Sequence, residues 1–182
     1  WRIKRVCSSK MSGYHRPSMV EEVLSGRAIK DGGIYFDGAA GGGGHSFAIL
    51  SSNPSVRLIA TDKDEDAINE VGKRLACFEG RFELYRSDFK NFEEVFTDAG
   101  VGKIDGYLLD LGISSHQIDT SSRGFAYMSD DAPLDMRMDN RASLTAEVVV
   151  NEYSEDALIR ILRDYAEESF AASIVRRIAM CR

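Results

Sequence analysis

Apolar residues along this chain follow two rhythms. Short runs at Ile34–Asp37, Val56–Asp62, Phe82–Tyr85 and Ile104–Asp110 are compact enough to be strands. Between them the apolar positions recur at helical spacing. Phe47-Ala48-Ile49-Leu50 opens one such stretch; Ile68, Val71 and Leu75 mark a second, behind Asp64-Glu65-Asp66. Phe92, Val95 and Phe96 mark a third, which ends at Gly100. An earlier helix is predicted from Pro17 to Gly26, with Met19, Val20, Val23 and Leu24 on one face. Strand and helix alternate throughout. The pattern predicts an α/β fold with a parallel sheet and helices on both faces.

Beyond Asp110 the rhythm breaks. Residues 111–141 mix glycine, serine, proline and aspartate with scattered aromatics, and a loop of that length in a compact domain is expected to be functional. From Ser143 the pattern is helical again. Leu158, Ile161, Leu162 and Tyr165 form one stripe with Ser154 as N-cap; Phe170, Ile174 and Ile178 form another. No internal repeat interrupts the chain.

Composition narrows the class. The 182 residues are 43% hydrophobic and 29% charged, with a net charge of −6. No apolar run approaches the ~18 residues that a membrane-spanning helix needs, and no secretory signal is evident. The three cysteines form no CxxC pair and read as free thiols in a reducing compartment, and the three isolated histidines do not make a metal site, so no metal is expected. The charge is uneven. The charged side chains of residues 1–16 are all basic, whereas acids outnumber bases almost two to one over 17–139. That balance argues against binding nucleic acid by bulk charge and leaves room for a structured RNA engaged locally. Residues 1–10, ahead of Met11-Ser12-Gly13, read as a non-native or upstream extension; a remnant of an organelle-targeting segment is the rival reading. The first reading makes the protein cytoplasmic, the second places it in an organelle matrix.

The densest chemistry is Asp37-Gly38-Ala39-Ala40-Gly41-Gly42-Gly43-Gly44-His45-Ser46, between the first strand and the next helix. Glycines let the backbone take positive φ and let a ligand lie against it. The helix behind them presents free N–H groups. Acids end three strands, at Asp37, Asp62 and Asp110, and Asp88 follows the remaining one. In an open parallel sheet, ligands bind at those ends. A dinucleotide fingerprint would place a glycine where Ser46 stands, and a carboxylate at Asp37 would oppose a pyrophosphate. A cationic cofactor such as S-adenosylmethionine suits Asp37 better. Asp62 would then serve the ribose, Phe89 the adenine face, and His45 the methionine carboxylate or the ribose. A nucleotide-dependent oxidoreductase remains the rival enzyme class.

Further segments carry a specific resemblance. They are His15-x-Pro17-x-Met19-Val20-x-Glu22-Val23-Leu24, the glycine loop with His45-Ser46, and Asp105-Gly106-x-Leu108-Leu109-Asp110-Leu111-Gly112-Ile113-Ser114-Ser115-x-Gln117-Ile118-Asp119. Arg123-Gly124-Phe125, Pro133-Leu134-Asp135-Met136-Arg137-Met138-Asp139 and Tyr165-Ala166-Glu167-Glu168 follow. Over residues 14–182 the chain resembles the bacterial ribosomal RNA small-subunit methyltransferase family known as RsmH or MraW. The resemblance implies S-adenosylmethionine-dependent methylation of the exocyclic N4 of a cytosine in 16S ribosomal RNA, with the small ribosomal subunit as partner. It also implies a Rossmann-like class I methyltransferase core with a helical domain inserted after the fourth strand. Cofactor contacts carry over to Gly43, Gly44, His45, Asp62, Phe89, Asp110 and Gln117.

The resulting division is residues 11–141 for the cofactor-binding core and 142–182 for the start of the inserted domain. Asp110 is the candidate acceptor for the target amine. Phe125 or Tyr127 would stack on an extruded base, and Arg123, Arg137 and Arg141 would meet RNA phosphate, unless local aspartates claim them. Relatives of this kind continue past the inserted domain, so the chain reads as C-terminally truncated or as a fragment. An RNA-assembly factor that binds the cofactor without turnover is the non-enzymatic alternative. Either a monomer or a homodimer is compatible with the sequence. Ala132 and Ala166 replace glycines of the family pattern, which puts positive-φ turns there in question.

Overall fold

The computed structural model describes residues 29–128 and 131–182. The helix expected over Pro17–Gly26 and the extension at residues 1–10 lie outside them. Four parallel strands, β1 (Ile34–Asp37), β2 (Arg57–Asp62), β3 (Phe82–Arg86) and β4 (Gly106–Leu108), form one sheet in the order β3-β2-β1-β4. Helices α1 (Gly44–Ser52), α2 (Glu65–Leu75) and α3 (Phe92–Asp98) make the crossovers. This is the strand order of one half of a Rossmann-like fold, and it reverses between β1 and β4.

Period-two alternation sorts the strand residues between two cores. Tyr35, Leu58, Ala60, Phe82 and Leu84 point to one face, where Ile49 and Leu50 of α1 and Val71 and Leu75 of α2 cover them. Ile34, Phe36, Ile59 and Tyr85 point to the other, where Val95 and Phe96 of α3 cover them and Phe36 meets Phe96 edge-on at 5.1 Å. The expected helices on both faces are present. Asp64 caps α2 by accepting from the Asp66 N–H at 3.1 Å, with Glu65 and Asp66 in the first turn and Lys73 and Arg74 in the last.

The fourth strand is much shorter than the apolar run Ile104–Asp110 suggested. Among the described residues it lies at the sheet edge and pairs only with β1, over Tyr35↔Gly106 to Asp37↔Leu108. Its partner has four residues and then turns into the glycine loop, so the ladder has nothing further to bond. One backbone bond extends the pairing at each end, Asp105 N–H to Ile34 O and Gly38 N–H to Leu108 O. Tyr107, Leu109, Leu111 and Ile113 are exposed as a result.

The chain divides into two compact units, one ending at His116 and the other comprising Gln117–Arg182. The division falls well before the helical pattern begins, so most of the glycine- and aspartate-rich stretch folds with the helices. Short helical turns occur at α4 (Ser115–Asp119) and, as 3-10 helix, at Ser121–Arg123. Then come α5 (Ala146–Glu152), α6 (Glu155–Ala166) and α7 (Ala171–Cys181). Ser154 caps α6 as expected, accepting from the Ala157 N–H at 3.3 Å. The stripe expected on α7 is misplaced. Phe170 sits before the helix, 73% exposed, and the buried positions are Ala171 and Val175. Neither Ala132 nor Ala166 needs positive φ; those conformations fall on Gly124, Met136 and Glu167. Cys181 is free and exposed.

Candidate functional site

The loop between β1 and α1 is held by the strands beside it. Gly38 N–H reaches Leu108 O of β4, and Ala40 N–H reaches Thr61 O of β2 at 3.0 Å. Thr61 returns its hydroxyl to Gly38 O at 3.1 Å. Gly38 must lack a side chain, because a Cβ there would stand 2.5 Å from Leu109 and 2.9 Å from Phe89. Gly43, at φ 72°, is the N-cap of α1. L side chains disfavour that conformation. The glycines thus serve close packing and a left-handed turn, both in the backbone itself.

Carboxylates flank the loop on two sides. Asp62, at the end of β2, accepts from the Gly41 N–H at 2.8 Å and from the Asp64 N–H at 2.9 Å. Burial raises its carboxyl above the ordinary value, against those backbone donors. Asp37, at the end of β1, is 1% exposed and accepts from Ser46 Oγ at 2.6 Å. Burial is also the main cause of its raised carboxyl pKa, while the Ser46 hydroxyl, the Ala39 N–H and His45 oppose the rise. Ser46, whose identity argued only against a dinucleotide motif, therefore has a role of its own. It ties the first turn of α1 to the end of β1. A serine three residues after a capping glycine, facing a strand-terminal acid, was the available signal.

His45 lies in the same helical turn. Its Nε2 stands 3.3 Å from Asp110 Oδ2, just beyond β4, and its Nδ1 is buried without a hydrogen-bond partner among the described residues. Phe89 follows β3 and packs beside Gly38. The first unit thus gathers Asp37, Gly43, Gly44, His45, Asp62, Phe89 and Asp110 around the loop, at the carboxyl ends of the strands and the point where strand order reverses. An unsatisfied buried nitrogen and two desolvated carboxylates suit a ligand with both cationic and hydrogen-bonding groups. Asp88 is used differently. It accepts from the Lys90 N–H and stands 4.0 Å from both Lys63 and Lys90.

The other nominated residues belong to the second unit. Gln117 is buried there. Arg123 donates to the carbonyls of Arg137 and Met138 at 3.0 and 3.1 Å. Arg137 engages Asp135 with its fork and reaches Ala142 O at 2.7 Å; Arg141 engages Asp139. These guanidinium groups staple the loop they sit in. Tyr127 is exposed and Phe125 half-buried. Among the described residues no cluster of histidine, cysteine or acidic side chains has metal-binding geometry, and no helix is long and apolar enough to cross a membrane.

The chain is 47% identical over 169 residues to "Ribosomal RNA small subunit methyltransferase H 2" of Agathobacter rectalis, a match covering 92% of this chain and 54% of that protein. It is 44% identical over 173 residues to the methyltransferase H of Symbiobacterium thermophilum, covering 94% and 54%. The chain thus spans about half the length of these relatives. Among solved structures, a putative RNA methyltransferase from Pyrococcus horikoshii aligns with a TM-score of 0.36 and 23% identity, over 41% of this chain and 38% of that one. The profile of the MraW methylase family matches residues 12–182, and the chain belongs to that family.

Proposed function

We propose that the protein is an S-adenosylmethionine-dependent methyltransferase acting on the exocyclic N4 of a cytosine in 16S ribosomal RNA, within the small ribosomal subunit and in the bacterial cytoplasm. The observation that carries the cofactor assignment is the pair of desolvated carboxylates, Asp37 buried and Asp62 partly buried, on either side of a glycine loop. A dinucleotide would bring more negative charge to them, and a sulfonium brings positive charge. The substrate assignment rests on the relatives' names and on the Asp105–Asp139 segment.

Gly43, Gly44, His45, Asp62, Phe89, Asp110 and Gln117 would hold the cofactor. When bound, it supplies an electrophilic methyl group on sulfur. Cytosine N4 is a weak nucleophile because its lone pair is delocalised into the ring. Alignment and a hydrogen-bond acceptor are what the protein can add. Asp110 follows β4 and keeps a largely exposed carboxylate, so it is free to face an incoming base. Asp110 would accept the proton that the N4 amine gives up on methylation. Arginine forks already engaged in their own loop would act on RNA by holding that loop's shape, with Tyr127 presented for stacking.

Calorimetry with S-adenosylmethionine should give saturable binding that Asp62→Ala weakens. Unmethylated small ribosomal subunits incubated with the protein and labelled cofactor should carry label at a cytosine N4. Label confined to carbon 5 or to ribose would refute the chemistry. Binding without any transfer would favour the assembly-factor reading.

A further inference from the structure

The His45 imidazole has a burial and an orientation that cofactor contact alone does not explain. Its side chain is 9% exposed, yet its Nε2 stands 3.3 Å from a carboxylate that is 61% exposed. Among the described residues Nδ1 has no hydrogen-bond partner. A buried imidazole that turns one nitrogen to a surface acid and leaves the other unpaired is held by packing, not by local satisfaction. Packing is tight around it: Ser46 beside it is fully buried and anchored to Asp37, and Gly43 before it caps the helix against Val71. Asp110, in contrast, lies on irregular chain just past a three-residue edge strand, with little to fix its rotamer.

We infer that His45 is a positioning residue for Asp110: its Nε2–H, anchored by the first turn of α1, fixes the carboxylate at the end of β4 for the incoming ligand. The pair links the cofactor loop to the acceptor by one contact. At 3.3 Å that contact is long, as such contacts often are before ligand closes on them. The inference rests on the reading of Asp110 as part of the cofactor and acceptor site. Nδ1 stays available for a ligand group.

A double-mutant cycle on the cofactor dissociation constant tests it, with S-adenosylmethionine as the probe. His45→Leu and Asp110→Asn should each weaken binding about tenfold, and the double variant should be no weaker than either single one. His45→Gln places an amide N–H near the Nε2 position and should restore affinity to within about threefold, whereas His45→Asn, one bond shorter, should not. In the unliganded protein, nitrogen NMR of the His45 ring should find the proton on Nε2, and Asp110→Asn should move that resonance. Additive losses in the cycle, or an Nε2 signal indifferent to Asp110→Asn, would overturn the pairing. If the unaltered protein binds no cofactor, the proposed function fails, and the NMR arm alone still decides whether the pair exists.

Discussion

Two irregular segments of this chain are held in shape by opposite uses of charge. Around Gly38–Gly44 the carboxylate of Asp37 is buried and that of Asp62 partly buried, and backbone N–H groups and one serine hydroxyl hold them. From Arg123 to Ala142 the charges pair with each other near the surface, Asp135 with Arg137 and Asp139 with Arg141, while Arg123 collects two carbonyls. A buried carboxylate loses hydration that a few backbone donors only partly replace, so the first segment is stabilised when positive charge arrives. A surface fork loses little hydration and contributes little to stability, so the second segment is pinned in shape without being electrostatically poised. One loop is held around desolvated carboxylates; the other is held by its own ion pairs.

The sharpest way to break the second segment is through its backbone. Gly124 has φ 75°, and a Cβ there would stand 2.3 Å from Pro133 O and 2.8 Å from the Asp135 N. Gly124→Ala should cost about 3 kcal/mol, combining overpacking with left-handed strain. Hydrogen exchange should show the loss in Gln117–Arg182 and spare the sheet. Equal loss of protection in the sheet would contradict a local effect of the substitution.

In the first segment the largest effect is expected at Asp62. Asp62→Ala leaves the Gly41 and Asp64 N–H groups without their acceptor. It should weaken cofactor binding about tenfold to a hundredfold, at about 1–3 kcal/mol for the lost pairing. Calorimetry reads this directly, and unchanged affinity would remove the carboxylate from the site.

Asp37 sharpens the electrostatic side of the comparison. Burial raises its carboxyl, so the folded protein holds that proton more tightly than the unfolded chain does. Stability from this group is therefore greatest at acid pH and falls as pH rises through the raised value. Asparagine escapes that loss. Asp37→Asn should melt about 2–4 °C higher at neutral pH, an advantage that disappears below about pH 3.5, while cofactor affinity falls. A variant that melts lower at neutral pH would mean that Asp37 is needed for folding as a charge.

The smallest effect belongs to the surface forks. Arg141→Ala should change stability by about 0.5 kcal/mol or less. If it leaves melting unchanged but weakens association with ribosomal RNA and flattens its salt dependence, the guanidinium meets phosphate after all. If RNA association is also unchanged, its role ends with Asp139.

Much of the core was legible in the chain. Period-two runs placed β1, β2 and β3 to within a residue, and Ser154 marked a helix start, because burial and capping leave local traces. The length of β4 was not legible: seven apolar or strand-like residues became a three-residue strand because its only partner turns away. The stripe on α7 was misread because Phe170 is strongly apolar yet precedes the helix. At the site, the acid-ended strands and the glycine loop were visible as sequence. Ser46 on Asp37 and His45 on Asp110 were not, since each pair joins different elements.

The sequence by itself determined the alternation of strand and helix, the acids at the strand ends and membership of the family. All of these are written in local pattern and residue order. Tertiary structure alone decided which acid is buried, which arginine is already engaged, and which nitrogen of His45 meets Asp110. Those outcomes depend on what the crossovers bring within about 3 Å, the reach of a hydrogen bond, and no spacing along the chain encodes that distance.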